Sequence, residues 1–150
     1  MPKMNKADEI VKNLWLGSVP KGPIERGMFS TVVLGAYECQ PPREWFPGAT
    51  IIRFHLDDSV LRSDQIVDLE TAGRIVADAI LSGERVLVTC HMGINRSALI
   101  VGQALHELGY KNVVGLIRSR RPGTLTNPYF SRYLKRLTES KQHMESSVSV

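Results

Sequence analysis

The sequence predicts an α/β domain with a mostly parallel central sheet flanked by helices. Three observations carry this. Short β-branched runs recur along the chain, amphipathic stretches of helical period separate them, and 150 residues suffice for one domain with a buried core. The apolar runs at 32–34 and 86–88 suit strands covered on both faces, as a parallel sheet requires.

Strands are read at "LWLG" from Leu14, "STVVLGA" from Ser30, "TIIRFHL" from Thr50 and "RVLVTC" from Arg85. The clearest helix is "SDQIVDLETAGRIVADAILSG", where Ser63 caps the start, Gly83 ends it, and Ile66, Leu69, Val76 and Ile80 share a face. A second runs from near Arg96 to Gly109 and buries Leu99, Leu105 and Leu108. Asn112 caps a shorter one through "VVGLIRS". Asn127 caps the last, with Pro128 at its first position and Phe130, Tyr133, Leu134 and Leu137 inward. Residues 1–7 are expected to be flexible, 8–138 to form the domain, and the polar segment 139–150 to be disordered.

An apolar content of 43% and a charged content of 23% exclude disordered, collagen-like and membrane classes. The net charge of +4 makes the surface mildly attractive to anions, including phosphorylated proteins, nucleotides and RNA. A basic cluster, "IRSRRPG", spans Ile117 to Gly123 and suits either a solvated helix end or a ligand-facing rim. Two cysteines, Cys39 and Cys90, are too few for a disulfide framework. No leader pattern and no stretch of transmembrane length is read, so a cytoplasmic protein without membrane partners is expected.

The stretch "TCHMGINRSAL", residues 89 to 99, concentrates the chemistry. Cys90 ends a buried strand, Arg96 and Ser97 begin a helix, and "HMGIN" must turn tightly between them, so its amide N–H groups converge on one point. An anion suits that point, Gly93 frees the backbone there, and the helix start adds about half a positive charge. Free thiols ionise near pH 8.5, whereas those at helix starts beside arginines do so at about 3.5 to 7.5, which makes nucleophiles of them. An arginine at position 96 suits two oxygens of a transferring phosphoryl group. A buried inert thiol is the competing reading. A zinc site with His91 is disfavoured, since adjacent side chains point apart and no second ligand pair stands at zinc spacing; no metal is expected.

Cysteine, five residues, arginine and serine resembles the catalytic loop of the cysteine-dependent protein tyrosine phosphatase superfamily, and "CHMGINRSA" is most similar to its dual-specificity branch. "IVKNLWLGS" from Ile10 resembles that branch's opening strand pair, "VVLGAYEC" its next strand, "FHLDDS" its general-acid loop and "RRPGTLTNPYF" the lead-in to its final helix. The resemblance covers residues 8–138 and implies a catalytic domain of the protein tyrosine phosphatase type.

It implies Cys90 as nucleophile, Arg96 as phosphate clamp, and the backbone of His91, Met92, Gly93, Ile94 and Asn95 as cradle. Ser97 would hydrogen-bond the sulfur and ease its departure. The general acid lies in "HLDDSV", where alignment selects Asp58 over Asp57. No cofactor is implied, and the partner is a phosphorylated protein or peptide bearing phosphotyrosine, with phosphoserine and phosphothreonine as further substrates. Thr89 stands where most members have histidine, and Asn95 resembles the RNA 5′-triphosphatase relatives. An RNA or nucleotide 5′-phosphatase and a catalytically silent phosphoprotein-binding module therefore stay open as rivals. No lysine within "HMGIN" speaks against phosphoinositide-directed branches. Cys39 is read as structural, with a redox disulfide to Cys90 as the alternative. Trp15, Trp45 and the Tyr129 to Tyr133 stretch are expected in the core, and Arg120 and Arg121 either on a substrate rim or in solvent.

Overall fold

A computed structural model describes residues 7–36, 38 and 40–148. Strands β1 (Ala7–Val11), β2 (Leu14–Ser18), β3 (Thr31–Ala36) and β4 (Thr50–Leu56) precede helix α1 (Ser63–Leu81); strand β5 (Val86–Cys90) follows it, and helices α2 (Arg96–Glu107), α3 (Val113–Arg120) and α4 (Pro128–Val148) come after β5. The strands form one sheet in the order β1-β2-β5-β3-β4. β1 and β2 are antiparallel; the other pairings are parallel.

Residue parity decides what each sheet face meets. Leu14, Leu16, Val33, Val86 and Val88 join the larger core, to which α1 gives Leu69 and Val76, α2 gives Leu99 and Leu105, α3 gives Ile117, and α4 gives Phe130 and Leu134. The alternate positions Val32, Leu34 and Leu87 pack instead with Phe29 and Phe46. A 3-10 turn at Arg43–Trp45 and the segment around Ile24 and Met28 close this second face. Where α2 crosses α4 the approach is close: a Cβ on Gly102 would lie 2.5 Å from a Leu134 methyl. That contact fixes the helix which carries Arg96 and Ser97.

Each strand and helix expected from sequence is present, with corrections at the edges. Ser63 is the first helical residue rather than the cap; the cap position belongs to Arg62, whose N–H donates to Gln65 Oε1 at 3.3 Å. Asn112 does cap α3, accepting from Gly115 N at 3.2 Å, and Asn127 Oδ1 accepts from Tyr129 N at 2.9 Å and Phe130 N at 3.3 Å. Residues 1–6 lie outside the described residues, and Ala7 already belongs to β1. α4 continues to Val148, so the backbone is helical through most of the segment expected to be a disordered tail. Tyr129 is exposed rather than in the core, whereas Tyr133 is half-buried and donates to Gln103 Oε1 at 2.8 Å. Among the described residues no helix is long and apolar enough to cross a membrane.

Because β2, β3, β4 and β5 run parallel, their carboxyl ends share one edge of the sheet, where open α/β folds place their ligands. The loops after Ala36, Leu56 and Cys90 meet there. Gln40 fastens the first to β4, its amide donating to Ala36 O at 2.7 Å and Phe54 O at 3.2 Å.

Candidate active site

β5 delivers Cys90 to this edge with 3% of its surface exposed, and Sγ lies 3.1 Å from Ser97 Oγ in the first turn of α2. The loop between them is shaped from outside. Arg121 donates from Nε to Gly93 O at 2.8 Å and from Nη2 to Met92 O at 3.3 Å, while Leu125 N donates to Ile94 O at 2.8 Å. A trans peptide sets each carbonyl opposite the following N–H. Holding those three carbonyls outward therefore turns the N–H groups of Gly93, Ile94 and Asn95 to the other side, the arrangement an anion cradle needs. Asp8 anchors Arg121 in turn, accepting from Nη1 at 2.8 Å.

Gly93 is required twice over. Its φ of +66° lies in the left-handed region, and a Cβ there would stand 2.4 Å from Gly17 C and 2.6 Å from Ser18 N. The loop thus sits directly on the end of β2, which also holds Cys90, whose carbonyl accepts from Val19 N at 2.9 Å.

Arg96 is only 8% exposed, and a guanidinium so placed needs a counter-charge. Glu38 supplies it by a two-pronged ion pair: Nη1 donates to Oε2 at 2.7 Å, and Nη2 donates to Oε1. Hydrogen bonding from Arg96 holds the Glu38 carboxyl down at about 2, and Glu38 in turn pushes Arg96 above its ordinary value. Nη1 also reaches Leu56 O at 3.4 Å. The remaining group, Nε, is buried and has no partner among the described residues. Buried polar atoms without partners are uncommon, and this N–H is suited to an anion's oxygen.

Asp58 is held at both oxygens. Asn95 Nδ2 donates to Oδ2 at 3.0 Å and Asn127 Nδ2 donates to Oδ1 at 2.8 Å. Asn95 Oδ1 meanwhile accepts from Asn127 N at 2.9 Å, so one side chain ties the loop, the acid and the start of α4 together. Asp57 takes a different partner, Arg62, at 3.8 Å.

The structure therefore gathers Cys90, Arg96, Ser97, the 91–95 loop and Asp58 at one place. Thr89 is buried within β5, between Gly17 of β2 and Leu34 of β3. Arg120 is exposed, but Arg121 braces the loop instead of facing solvent. Cys39 lies outside the described residues. Sequence reasoning missed Glu38, and gave neither Asp8 nor Arg121 a bracing part. For Glu38 a signal existed: an arginine among buried neighbours demands a carboxylate, and β3 ends next to β5.

No model of a known protein family matches the sequence. A dual specificity protein phosphatase 1B of Arabidopsis thaliana is 30% identical over 141 residues, spanning 89% of this chain and 83% of that protein. Among solved structures, human DUSP28 superposes with a TM-score of 0.75 at 23% identity, covering 95% of this chain and 97% of that one. A mouse putative dual specificity phosphatase complexed with zinc tungstate gives 0.75 at 20% identity, covering 97% and 94%. These two neighbours share the fold; the Arabidopsis relative establishes kinship along nearly the whole chain. The chain belongs to the dual specificity protein phosphatases, a family of phosphatase enzymes.

Proposed function

We propose that the protein hydrolyses phosphate monoesters on protein side chains, phosphotyrosine together with phosphoserine or phosphothreonine, through a cysteinyl-phosphate on Cys90. In the first step the Cys90 thiolate attacks phosphorus, the bond from phosphorus to the side-chain oxygen breaks, and Asp58 delivers a proton to that oxygen. In the second, water attacks phosphorus while Asp58 takes its proton, and the sulfur departs, assisted by the hydroxyl of Ser97. Inorganic phosphate leaves.

In each step charge spreads over three equatorial oxygens. The N–H groups of the 91–95 loop and Arg96 Nε are suited to meet them, with Glu38 fixing the guanidinium plane. The two amides on Asp58 occupy one acceptor site on each oxygen, which leaves further sites for the transferred proton.

The observation that carries this reading is the bond from Asn95 to Asp58, which sets a carboxyl group at the rim of a loop whose base is a buried thiol beside a serine. A pocket that only bound phosphate would have no use for that carboxyl, so the silent-module reading gains nothing here. Nor does the RNA reading: Asn95, the residue that raised it, is accounted for by its bonds to Asp58, Thr126 and Asn127. The test is phosphate release from phosphotyrosine, phosphoserine and phosphothreonine peptides, a triphosphate-ended RNA and an aryl phosphate, with Cys90→Ser as control. Release from the peptides that vanishes in Cys90→Ser is expected. Release confined to RNA would overturn the proposal.

A further inference from the structure

Beside the candidate active site lies a groove of about 330 Å³ that the reaction does not use, walled by Val60, Leu61, Ile66, Tyr129, Arg132 and Arg136. It adjoins, across Tyr129, the cavity of about 310 Å³ that carries Asp58, Asn95 and Asn127, since Tyr129 borders both. The join is fixed in place, because Asn127 donates to Asp58 with its amide and accepts from Tyr129 N with its oxygen.

Two properties of the groove say what fits it. Val60 is 45% exposed and Tyr129 48%, so apolar surface faces solvent on the approach to the site. Arg132 and Arg136, one helical turn apart on α4, are exposed, and neither has a carboxylate within ion-pair distance among the described residues. Apolar walls with two uncompensated guanidinium groups complement an extended chain carrying carboxylates and an apolar side chain. A concave groove one side chain away from the reaction site suits the polypeptide that carries the phosphate better than it suits a flat lipid surface.

We propose that this groove is a docking subsite for the substrate polypeptide: an apolar side chain packs against Leu61 and Tyr129 while acidic side chains pair with Arg132 and Arg136. This rests on the phosphoprotein reading above and narrows its substrate class to phosphopeptides with acidic and apolar residues beside the phosphorylated one.

The experiment compares two phosphotyrosine peptides of equal length, one flanked by glutamates and leucine, the other by glutamines and alanine, with an aryl phosphate as the small reference. The wild type is expected to show kcat/KM about tenfold higher for the acidic peptide, as two partly exposed ion pairs would give. Arg132→Glu/Arg136→Glu should erase that preference through KM and leave aryl phosphate turnover unchanged; the milder Arg132→Gln/Arg136→Gln should weaken it. No preference in the wild type, or a preference that survives both variants, overturns the proposal. So does loss of binding to phosphatidylserine vesicles in the variants with peptide preference intact, which would assign the arginines to a lipid surface. Anisotropy of the unphosphorylated acidic peptide reads the groove without turnover. Binding that depends on the arginines, with no phosphopeptide hydrolysed, would sink the phosphatase reading and keep the groove; hydrolysis without such binding would do the reverse.

Discussion

Asn95 and Asp58, 37 positions apart, are joined by a 3.0 Å hydrogen bond, so the residue just before Arg96 also holds the carboxyl group of the loop after β4. Asn95 is a positioning residue in this account. Asn95→Ala should lower kcat on a phosphoserine peptide about tenfold, a part of the roughly hundredfold or more that general-acid catalysis contributes, because Asn127 still holds the carboxyl group. An aryl phosphate with an acidic phenol needs little protonation and should be much less affected. Equal slowing on both substrates would mean that Asn95 shapes the loop rather than the acid.

Glu38 and Arg96 make a pH prediction. Arg96 lowers the Glu38 carboxyl from its ordinary 4.5 to about 2, so the contribution to stability is fully present above pH 4.5 and is lost as pH falls toward 2. The Glu38 side chain is 49% exposed, and solvent screening keeps the effect to about 1 kcal/mol. Urea unfolding of wild type and Glu38→Gln at a series of pH values should show a constant gap above pH 5 that narrows below pH 4. A gap that stays level down to pH 3 would contradict the ion pair's part in stability.

Gly93→Ala should be among the most damaging small substitutions in the chain. A left-handed backbone costs an alanine about 1–2 kcal/mol, and pressing a methyl against Gly17 and Ser18 adds about as much again. A lowered urea midpoint together with lost turnover is expected. A stable, active Gly93→Ala would show that the loop can leave β2 without harm.

These three cases also mark what sequence could reveal. The strands, the helices, the Asn112 and Asn127 caps and the Cys90 to Ser97 loop all rest on local rules of spacing and turn chemistry, so they were legible. The partners of that loop were not, because they come from elsewhere in the chain: Glu38 lies 58 positions from Arg96, and Arg121 lies 28 from Gly93. Strand order brings them together, and periodicity carries no strand order. Tyr129 was misread for a related reason. Helical spacing says which residues share a face of α4, and Phe130 and Leu134 are buried as expected, yet their neighbour is left open where the chain turns toward Asp58.

Ser97 acts on the second step alone in this account, since its hydroxyl is 3.1 Å from the sulfur that must leave. Ser97→Ala should slow the second step about tenfold, the worth of one hydrogen bond to a charged group, and leave the first step near its wild-type rate. Rapid mixing with an aryl phosphate should then reveal a burst of phenol that the wild type lacks. Equal slowing of burst and steady state would place Ser97 in the first step instead.

The most direct test of the central claim uses that variant. Ser97→Ala is mixed with a phosphopeptide, quenched in acid within the burst, digested and mapped by mass spectrometry. A phosphoryl group on the peptide that contains Cys90, absent when Cys90→Ser is treated in the same way, is the expected result. Turnover that proceeds with no phosphorus on Cys90, or that persists in Cys90→Ser, would contradict the account.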